Sequence, residues 1–328
     1  SSCAKPAPAK TIELRYATEE VQTHDRMVNI VLPLHRAIET ATNGRLKITE
    51  YFSESLIAAP DTYDGIIRGV VDWGEADTQY NPGRFDLTDA AGLPGFGRID
   101  NGVITNTLWD LYKKFPELQK QFSETHLLYL WAMNNDYIWT QKPIKTMEDL
   151  KGMKIRANPG PAFDAVKLLG AVPVEVGFND IYQSMEKKTI DGFIVAISGS
   201  MAGKLYEVAK NATNIATGAS IQDYAAINIA KWNSLPADIQ KIITDMTGDV
   251  AVKQFATQLV SINDNYRQKA VTSGVNFITL DPTELARWNK AMAPVVGNYV
   301  AKMNAKGLPG QAVADYAGQR IAFWGSQK

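Results

Sequence analysis

The chain has 328 residues, more than a single hydrophobic core usually serves, so we expect two lobes that each bury a core. Its 45% hydrophobic and 21% charged residues are close to average for folded domains and exclude disordered and fibrous proteins. Lys and Arg total 34 against 35 for Asp and Glu, and this net charge of −1 excludes the broad basic surface that nucleic-acid binding needs.

The N-terminal residues are typical of a tether. Cys3 is the only cysteine, and Ala-Lys-Pro-Ala-Pro-Ala-Lys follows it. A cysteine in this position is typical of a bacterial lipoprotein, in which it carries the lipid and residues 1–10 separate the domain from the bilayer. Two alternatives stay open, a cloning remnant and an ordinary mature start with a chance cysteine. No apolar run reaches about 18 residues, so no membrane-spanning helix is expected.

Strands and helices alternate through the first 76 residues. Ile12, Leu14 and Tyr16 alternate with polar side chains, which predicts a strand at 11–18. The pattern then predicts a helix from Asp25 to the Asn43-Gly44 stop, a strand at 45–52, a helix from Pro60 through Ile67 and a strand at 70–76. This β-α-β-α-β order predicts an open, mostly parallel sheet.

A second α/β unit is predicted from residue 146. Thr146 and Asp149 have the spacing of a capping box, and Gly152 ends that short helix before a strand at 153–157. The elements predicted next are a helix from Pro161 to Gly170, a strand at 171–176, a helix capped by Asn179, a strand at 193–197, a helix after 198–200 and a strand at 221–230.

The C-terminal region is predicted to be helical. Ser234 as a cap and Pro236 as an early proline begin a pattern of apolar residues that continues to Gly274. One helix of roughly 39 residues would be on the order of 58 Å long, which is enough to brace both lobes. Two more helical segments are predicted at 283–304 and 310–323.

Signatures of catalysis and of metal or cofactor binding are absent from the sequence. It has no phosphate-binding loop, HExxH or GxSxG, and Gly-Leu-Pro-Gly-Phe-Gly at 92–97 has the glycines of a dinucleotide motif in reverse order. His24, His35 and His126 are far apart and have no cysteine partners, so we expect no metal and no cofactor. We expect His35 on a helix face and His24 in a loop, either facing a ligand or solvated.

Arg156 is the first candidate for ligand binding. It lies at the end of a predicted strand, before Asn158-Pro159-Gly160, and open α/β sheets bind their ligands at such strand ends. A guanidinium holds a carboxylate through two parallel hydrogen bonds, so an anion site is expected. The alternative is a surface arginine paired with a neighbouring acid, which is the commoner role.

Segments that follow one another along nearly the whole chain resemble the solute-binding proteins of tripartite ATP-independent periplasmic (TRAP) transporters, the DctP-like family. These segments are 69–76, 80–96, 142–160, 170–193, 205–213 and 228–243. The resemblance implies a two-lobed α/β periplasmic binding protein fold, in which each lobe is a mostly parallel sheet flanked by helices and a long helix braces both. We assign 11–133 and 222–261 to lobe I, and 134–221 and 262–328 to lobe II.

The resemblance implies a ligand site centred on Arg156, whose guanidinium would hold the carboxylate of an organic acid. The loop and helix start at 177–182 would line the pocket, which makes Phe178, Asn179 and Tyr182 candidates. The alternative there is a helix capped by Asn179 with core aromatics. Candidates from the first lobe are Tyr80, Trp73, Glu19, Gln22 and His24, and the two aromatic residues among them have the same core alternative.

Departures from the family pattern indicate the kind of acid. Lys142 stands where many acid-binding members have a second arginine, and Val195 stands where the family has an asparagine. A pocket that loses these hydrogen-bond donors and gains Trp139, Phe193 and Val195 favours an apolar or aromatic body over a second carboxylate. We therefore expect a monocarboxylate.

The predicted function is that of a non-enzymatic, monomeric, periplasmic receptor, either lipid-anchored through Cys3 or not. It would bind an organic acid and deliver it to the membrane subunits of a TRAP transporter, with no nucleic-acid partner. The alternatives are a receptor of the same family for a C4-dicarboxylate or keto acid, and a binding protein that serves an ATP-driven transporter or a sensor.

Overall fold

A computed structural model describes residues 11–94, 100–134, 137–215 and 220–327, except for the side chains of Asn134 and Ser220. The tether with Cys3 and the end of the Leu-Pro loop at 95–96 lie outside these residues. The described strands are β1 (Ile12–Ala17), β2 (Leu46–Tyr51), β3 (Trp73–Asp77), β4 (Thr125–Asn134), β5 (Tyr137–Thr140), β6 (Lys154–Arg156), β7 (Val172–Val174), β8 (Gly192–Ile194), β9 (Asn211–Asn214), β10 (Ser220–Asn228) and β11 (Asn276–Thr279).

Helices cover most of the remaining described residues. The α-helices are α1 (Leu32–Ala41), α2 (Thr62–Ile67), α3 (Asn101–Lys114), α4 (Pro116–Gln121), α5 (Met147–Leu150), α6 (Pro161–Leu168), α7 (Ile181–Glu186), α8 (Ile197–Ala202), α9 (Ile229–Ser234), α10 (Ala237–Met246), α11 (Asp249–Thr272), α12 (Pro282–Met292), α13 (Pro294–Ala305) and α14 (Gly310–Gly325). A π-helical turn precedes α1 at Met27–Val31, and 3-10 turns lie at Ala59–Asp61, Thr78–Tyr80, Asp86–Gly92, Phe178–Asp180 and Leu205–Glu207.

The chain divides into two compact units. Unit 1 contains the described residues up to Ala76 together with Glu124–Tyr129 and Ala225–Ala251, and unit 2 contains the other described residues. In unit 1, β1 pairs in parallel with β2 and β3, and α1 packs against β2 and α10. The five-stranded sheet to which these strands belong has the order β2-β1-β3-β10-β4. Four boundaries between the units fall within β3, β4, β10 and α11, and a fifth lies just before β4, between Ser123 and Glu124.

Unit 2 contains a six-stranded sheet with the order β11-β9-β5-β8-β6-β7. Its pairs are parallel except at β5, which is antiparallel to both β8 and β9. The prediction named no strand at 137–140, because four buried residues in a row have no alternation to mark a strand. Two sheets with helices packed on them confirm the predicted α/β class.

Local signals in the sequence set several helix ends. The capping box of Thr146 and Asp149 is present at α5, as predicted. Gly170, with a φ of 90°, follows α6, and Asn43 and Gly44 follow α1 with positive φ angles. A left-handed residue ends a helix because it turns the chain out of the helical path.

The predicted helix from Ser234 to Gly274 is interrupted. Ser234 is the last residue of α9 rather than a cap, and α10 and α11 are separated at Thr247 and Gly248. Thr247 is extended, Gly248 has a φ of 55°, and the Gly248 N–H donates to the Leu128 carbonyl at 2.8 Å. The long helix is therefore α11, and apolar spacing on both sides of the break concealed it. Among the described residues, every helix is too short or too polar to cross a bilayer.

Candidate functional site

Arg156 is the last residue of β6 and is only 3% exposed, so the alternative of a surface arginine is wrong. Its Nε donates to the Val176 carbonyl at 2.9 Å, and one terminal nitrogen donates to the Ile194 carbonyl at 3.3 Å. These two acceptors lie just beyond β7 and at the end of β8, on either side of β6. The two carbonyls therefore orient a guanidinium that carries its positive charge in a buried position.

Arg156, Phe193 and Trp139 form a row across three neighbouring strands. Phe193 pairs in register with Arg156 on one side and with Trp139 on the other, and both aromatic side chains are fully buried. The two rings are nearly parallel, with their centroids 6.2 Å apart. The Trp139 indole N–H donates to the Val195 carbonyl at 2.8 Å. The row therefore places a charged group beside an apolar, rigid wall.

Phe178 and Val195 approach each other around Gly199. A β-carbon on Gly199 would lie 2.9 Å from a Val195 methyl and 3.4 Å from the Phe178 ring, so a larger residue would displace them. Two of the predicted pocket residues are thereby brought together, although Phe178 comes from the turn after β7 and Val195 directly follows β8.

Asn179 and Tyr182 lie on the turn and helix that follow β7. Asn179 does not cap the following helix, since it lies within a 3-10 turn and the residue that precedes α7 is Asp180. The alternative of a helix capped by Asn179 is therefore wrong. The Tyr182 hydroxyl lies 3.3 Å from a Glu207 carboxylate oxygen and donates to it.

A chain of buried side-chain amides lies beside the segment that follows Arg156. The Asn158 amide donates to Gln79 Oε1 at 3.1 Å and is 3.4 Å from an Asp77 carboxylate oxygen. The Gln79 amide in turn donates to Gln222 Oε1 at 3.0 Å. The sequence prediction missed these amides, although Asn158 is two residues from Arg156.

Tyr80, a predicted ligand contact, lies next to this chain of amides. It is partly buried and follows Gln79 in the same 3-10 turn. Because the turn comes directly after β3, Tyr80 lies beyond a strand end, as predicted.

Asp89 is a second missed residue, only 7% exposed. A β-carbon at Gly160 would lie 3.1 Å from one of its carboxylate oxygens, so the carboxyl group lies directly against the backbone there. Burial raises the pKa of Asp89 to about 7, and the nearby Asp86 carboxylate adds to this increase. Lys302 and the Gln79 side chain oppose it.

The aromatic candidate of unit 1 lies in a core setting. Trp73 is fully buried, with its ring 4.7 Å from that of His35 and 6.1 Å from that of Tyr16. His35 lies on α1, as expected. These contacts agree with the core alternative for Trp73.

The polar candidates of unit 1 lie in the loop after β1. His24 is buried, and its Nδ1 accepts a hydrogen bond from the Arg26 backbone at 3.1 Å, so the solvated alternative is wrong. Glu19 is partly exposed, and Gln22 is exposed.

Arg26 forms ion pairs in unit 1. Its guanidinium pairs with the Glu75 carboxylate and lies 3.2 Å from Glu20. Arg26 is 2% exposed and Glu75 is 1% exposed, so both partners of the pair are buried together. Burial raises the pKa of Glu75, and Arg26 opposes that increase.

Lys142 is exposed and lies away from Arg156 along the sheet. It lines a cavity of about 580 Å³ with Lys151 and Met153, next to the start of β6. Arg156 is at the opposite end of the same strand. The cavity therefore lies at the opposite end of β6 from Arg156.

Comparison with known proteins gives one family. The profile of bacterial extracellular solute-binding proteins of family 7, DctP, matches residues 17–303. Among curated proteins, the 2,3-diketo-L-gulonate-binding periplasmic protein of Escherichia coli K12 is 26% identical over 301 residues, which are 90% of this chain and 88% of that protein.

Two solved structures have the same fold. A TRAP solute-binding protein from Rhodoferax ferrireducens T118 in complex with copurified benzoate superimposes with a TM-score of 0.88 at 24% identity, over 95% of this chain and 98% of that one. A marine metagenome TRAP solute-binding protein with 3-hydroxybenzoate gives 0.89 at 22% identity, with the same coverage. At these identities the likeness establishes the fold, and the predicted periplasmic binding protein architecture is confirmed.

Proposed function

The chain belongs to the DctP family of bacterial extracellular solute-binding proteins, and on that premise we propose that it is a periplasmic receptor for an aromatic monocarboxylate. It delivers this acid to the membrane subunits of a TRAP-type transporter. Members of the family are solute receptors, and we extend that role to this chain without a catalytic step.

The observation that carries the proposal is the buried guanidinium of Arg156 at a strand end. Two backbone carbonyls orient it, and only 3% of the residue is exposed to solvent. A charge-assisted pair is stronger in such a setting than in water because the surrounding dielectric constant is lower. In this proposal Arg156 binds the carboxylate of the ligand.

The residues around Arg156 support the choice of an aromatic body. Trp139 and Phe193 are fully buried in the same row, and Val195 offers a methyl group where a polar side chain would offer a hydrogen bond. The benzoate and 3-hydroxybenzoate complexes of the structural relatives agree with this choice. The 2,3-diketo-L-gulonate-binding relative favours a keto acid as the second candidate.

The proposed mechanism is closure of two lobes over the ligand. We retain the assignment of 11–133 and 222–261 to lobe I, and of 134–221 and 262–328 to lobe II. Only a ligand that binds the closed state better than the open state shifts this equilibrium. Arg156 supplies this difference from lobe II, and the proposed further contacts are Phe178, Asn179, Tyr182, Tyr80, Glu19 and His24.

The test is thermal unfolding with a panel of aromatic, aliphatic, keto and dicarboxylic acids, for the natural protein, for Arg156→Ala and for the control Lys142→Ala. A ligand at about 100 times its Kd stabilises the folded state by about 2.7 kcal/mol. Removing one partner of a buried charge pair costs about 2 to 5 kcal/mol of binding free energy. Aromatic acids should therefore stabilise the natural protein and Lys142→Ala, and not Arg156→Ala.

The proposal fails in three distinguishable ways. If Arg156→Ala is folded by circular dichroism and keeps its thermal shifts, the carboxylate is bound elsewhere. If only dicarboxylic or keto acids produce shifts, the receptor role stands and the aromatic selectivity is wrong. Conversion of an acid to a product during the incubation would contradict the non-enzymatic role.

A further inference from the structure

The segment of residues 157–160, which we call the Arg156 loop, connects the proposed carboxylate-binding residue to α6. Ala157 and Asn158 are buried, and Gly160 has a φ of 112° at the start of the helix. A side chain at Gly160 would be strained at this angle and would also meet Asp89. Arg156 is the last residue of β6 and directly precedes this loop, so the loop is covalently joined to the residue whose guanidinium the Val176 and Ile194 carbonyls orient.

Two contacts from elsewhere in unit 2 hold the Arg156 loop. Asn158 donates to Gln79, which donates to Gln222, and all three side chains are buried. The Asp89 carboxyl group packs against the backbone of Gly160. We call Gln79, Asn158 and Asp89 the loop latch. In the proposed assignment, Gln79 and Asp89 belong to lobe I, whereas Asn158 and Gly160 belong to lobe II.

Two carboxylates act on Asp89 from the elements packed around it. Asp86 lies on the same 3-10 turn, and Asp164 acts on Asp89 from α6. A third carboxylate, that of Asp77, lies at the other end of the latch, 3.4 Å from the Asn158 amide. A negative charge on Asp89 is therefore buried in acidic surroundings.

The opposing groups come mainly from α13. The Lys302 ammonium lies 3.3 Å from Asp86 and opposes the effect of burial on Asp89, and Lys306, which follows the helix, pairs with Asp86. Tyr299 is the neutral polar group of the same helix near Asp89. Both ammonium groups contact Asp86, so the cation that opposes the pKa increase of Asp89 is shared with another carboxylate.

We propose that the loop latch is stable only while Asp89 is protonated, so that acidification favours the ligand-binding conformation of the Arg156 loop and increases ligand affinity. When Asp89 is ionised, its charge is stabilised if the loop moves away and water enters. This movement displaces Arg156 from its binding position. The apparent affinity falls with the fraction of molecules in the competent conformation. This inference rests on the proposed function.

The direction and range of the effect follow from proton linkage. Burial and Asp86 raise the pKa of Asp89 to about 7 in the latched structure, whereas a hydrated aspartate has a pKa of about 4. The latched state therefore binds more protons than the open state between these values. Affinity is highest at the acidic end of the interval, falls as the pH rises, and becomes constant above about pH 7.

The experiment is isothermal titration calorimetry with benzoate and 3-hydroxybenzoate as probes, between about pH 5 and 8, at constant ionic strength. We compare the natural protein with Asp89→Asn, which mimics the neutral carboxyl group, and with Asp315→Asn as a matched control at an exposed aspartate of α14. The natural protein and the control should lose at least about tenfold in affinity between about pH 5 and 7, and Asp89→Asn should have a flat profile.

Two further measurements distinguish an effect of the loop latch from a general loss of structure. At about pH 6, binding in buffers of different ionisation enthalpy should show uptake of up to about one proton by the natural protein and none by Asp89→Asn. Asn158→Ala should weaken binding at every pH and keep the pH dependence, because Asp89 is intact. A flat profile in the natural protein overturns the inference, and so does an unchanged profile in Asp89→Asn.

Failure of the proposed function is recognised separately. If neither probe nor any acid of the wider panel binds at any pH, the receptor proposal fails. The latch is then tested in the ligand-free protein by amide hydrogen exchange at about pH 8, above the interval in which Asp89 titrates. Greater protection of residues 157–160 in Asp89→Asn than in the natural protein supports the latch, and equal protection overturns it.

Discussion

Two arginines, Arg26 in unit 1 and Arg156 in unit 2, are almost equally buried and are held in different ways. Arg26 pairs with the carboxylates of Glu75 and Glu20. Arg156 donates to the carbonyls of Val176 and Ile194. A carboxylate neutralises a guanidinium, whereas a carbonyl fixes its direction.

The two arginines therefore have different roles, Arg26 in stability and Arg156 in ligand binding. Around Arg26 the protein supplies the anions, so the ion pairs complete the core of unit 1 and removing either partner leaves a buried charge. Around Arg156 the carbonyls keep the guanidinium in one orientation before a ligand arrives. Binding then needs less reorganisation, which is the usual advantage of a preorganised site.

The sharpest test of this comparison sets Arg26→Met against Arg156→Met. We expect Arg26→Met to lower the free energy of unfolding by about 3 to 5 kcal/mol, because it leaves Glu75 buried and without its cation. Arg156→Met should cost less stability and abolish the binding of aromatic acids. Urea denaturation measures the first effect and calorimetry the second.

A double variant separates the loss of charge balance from the loss of packing. Arg26→Met with Glu75→Gln should recover part of the stability, because no charged Glu75 remains in the core of unit 1. Two results would contradict the different roles of the two arginines. One is that Arg156→Met is the more destabilising variant, and the other is that Arg26→Met selectively abolishes binding while its stability is unchanged.

Trp139→Phe tests the wall beside Arg156. The change removes the indole donor to the Val195 carbonyl and leaves that buried acceptor without its hydrogen bond, which costs about 1 to 3 kcal/mol. Trp288→Phe is a matched control, because Trp288 is also fully buried and donates to Glu284 at 2.8 Å. Both variants should lose similar stability in urea, and only Trp139→Phe should also weaken the binding of aromatic acids. Equal binding by the two variants would show that Trp139 does not contribute to the ligand site.

Local patterns in the sequence were enough to predict part of the site. Arg156 was found because its strand, its break at Asn158-Pro159-Gly160 and its place in the family pattern all lie within a few residues. Phe193 and Val195 were found in the same way. The pairing of Trp139 with Phe193 joins segments that are far apart in the chain, and no local pattern encodes sheet register of this kind.

The residues that the prediction missed depend on such distant contacts. Gln79, Asn158 and Asp89 come from separate segments, and nothing near any one of them indicates its partners. Arg26 and Glu75 are likewise 49 residues apart, so their ion pair appears only when β3 lies beside β1. The break at Gly248 was missed for a different reason, because the apolar spacing continues on both sides of it. Distance along the chain, rather than the chemistry of the residues, therefore limited the prediction of the site.

The smallest expected effect concerns His126, which gives unit 1 a pH dependence opposite to that of Asp89 in unit 2. The His126 ring stacks on Trp232 with centroids 3.7 Å apart, and burial lowers the pKa of His126 to about 4. The unfolded chain therefore binds a proton below about pH 6.5 that the folded chain does not bind until about pH 4. The free energy of unfolding should fall as the pH falls through this interval, by about 1 to 2 kcal/mol once partial exposure is allowed for.

His126→Phe keeps an aromatic ring against Trp232 and removes the titration. Urea denaturation at several pH values between about 4 and 7 should show the natural protein losing stability relative to this variant as the pH falls. Asp89→Asn, measured alongside, should instead gain stability relative to the natural protein as the pH rises towards 7, because burial and Asp86 raise the pKa of Asp89. Parallel curves for the natural protein and His126→Phe would mean that the stacked imidazole is protonated as readily in the folded chain as in the unfolded one.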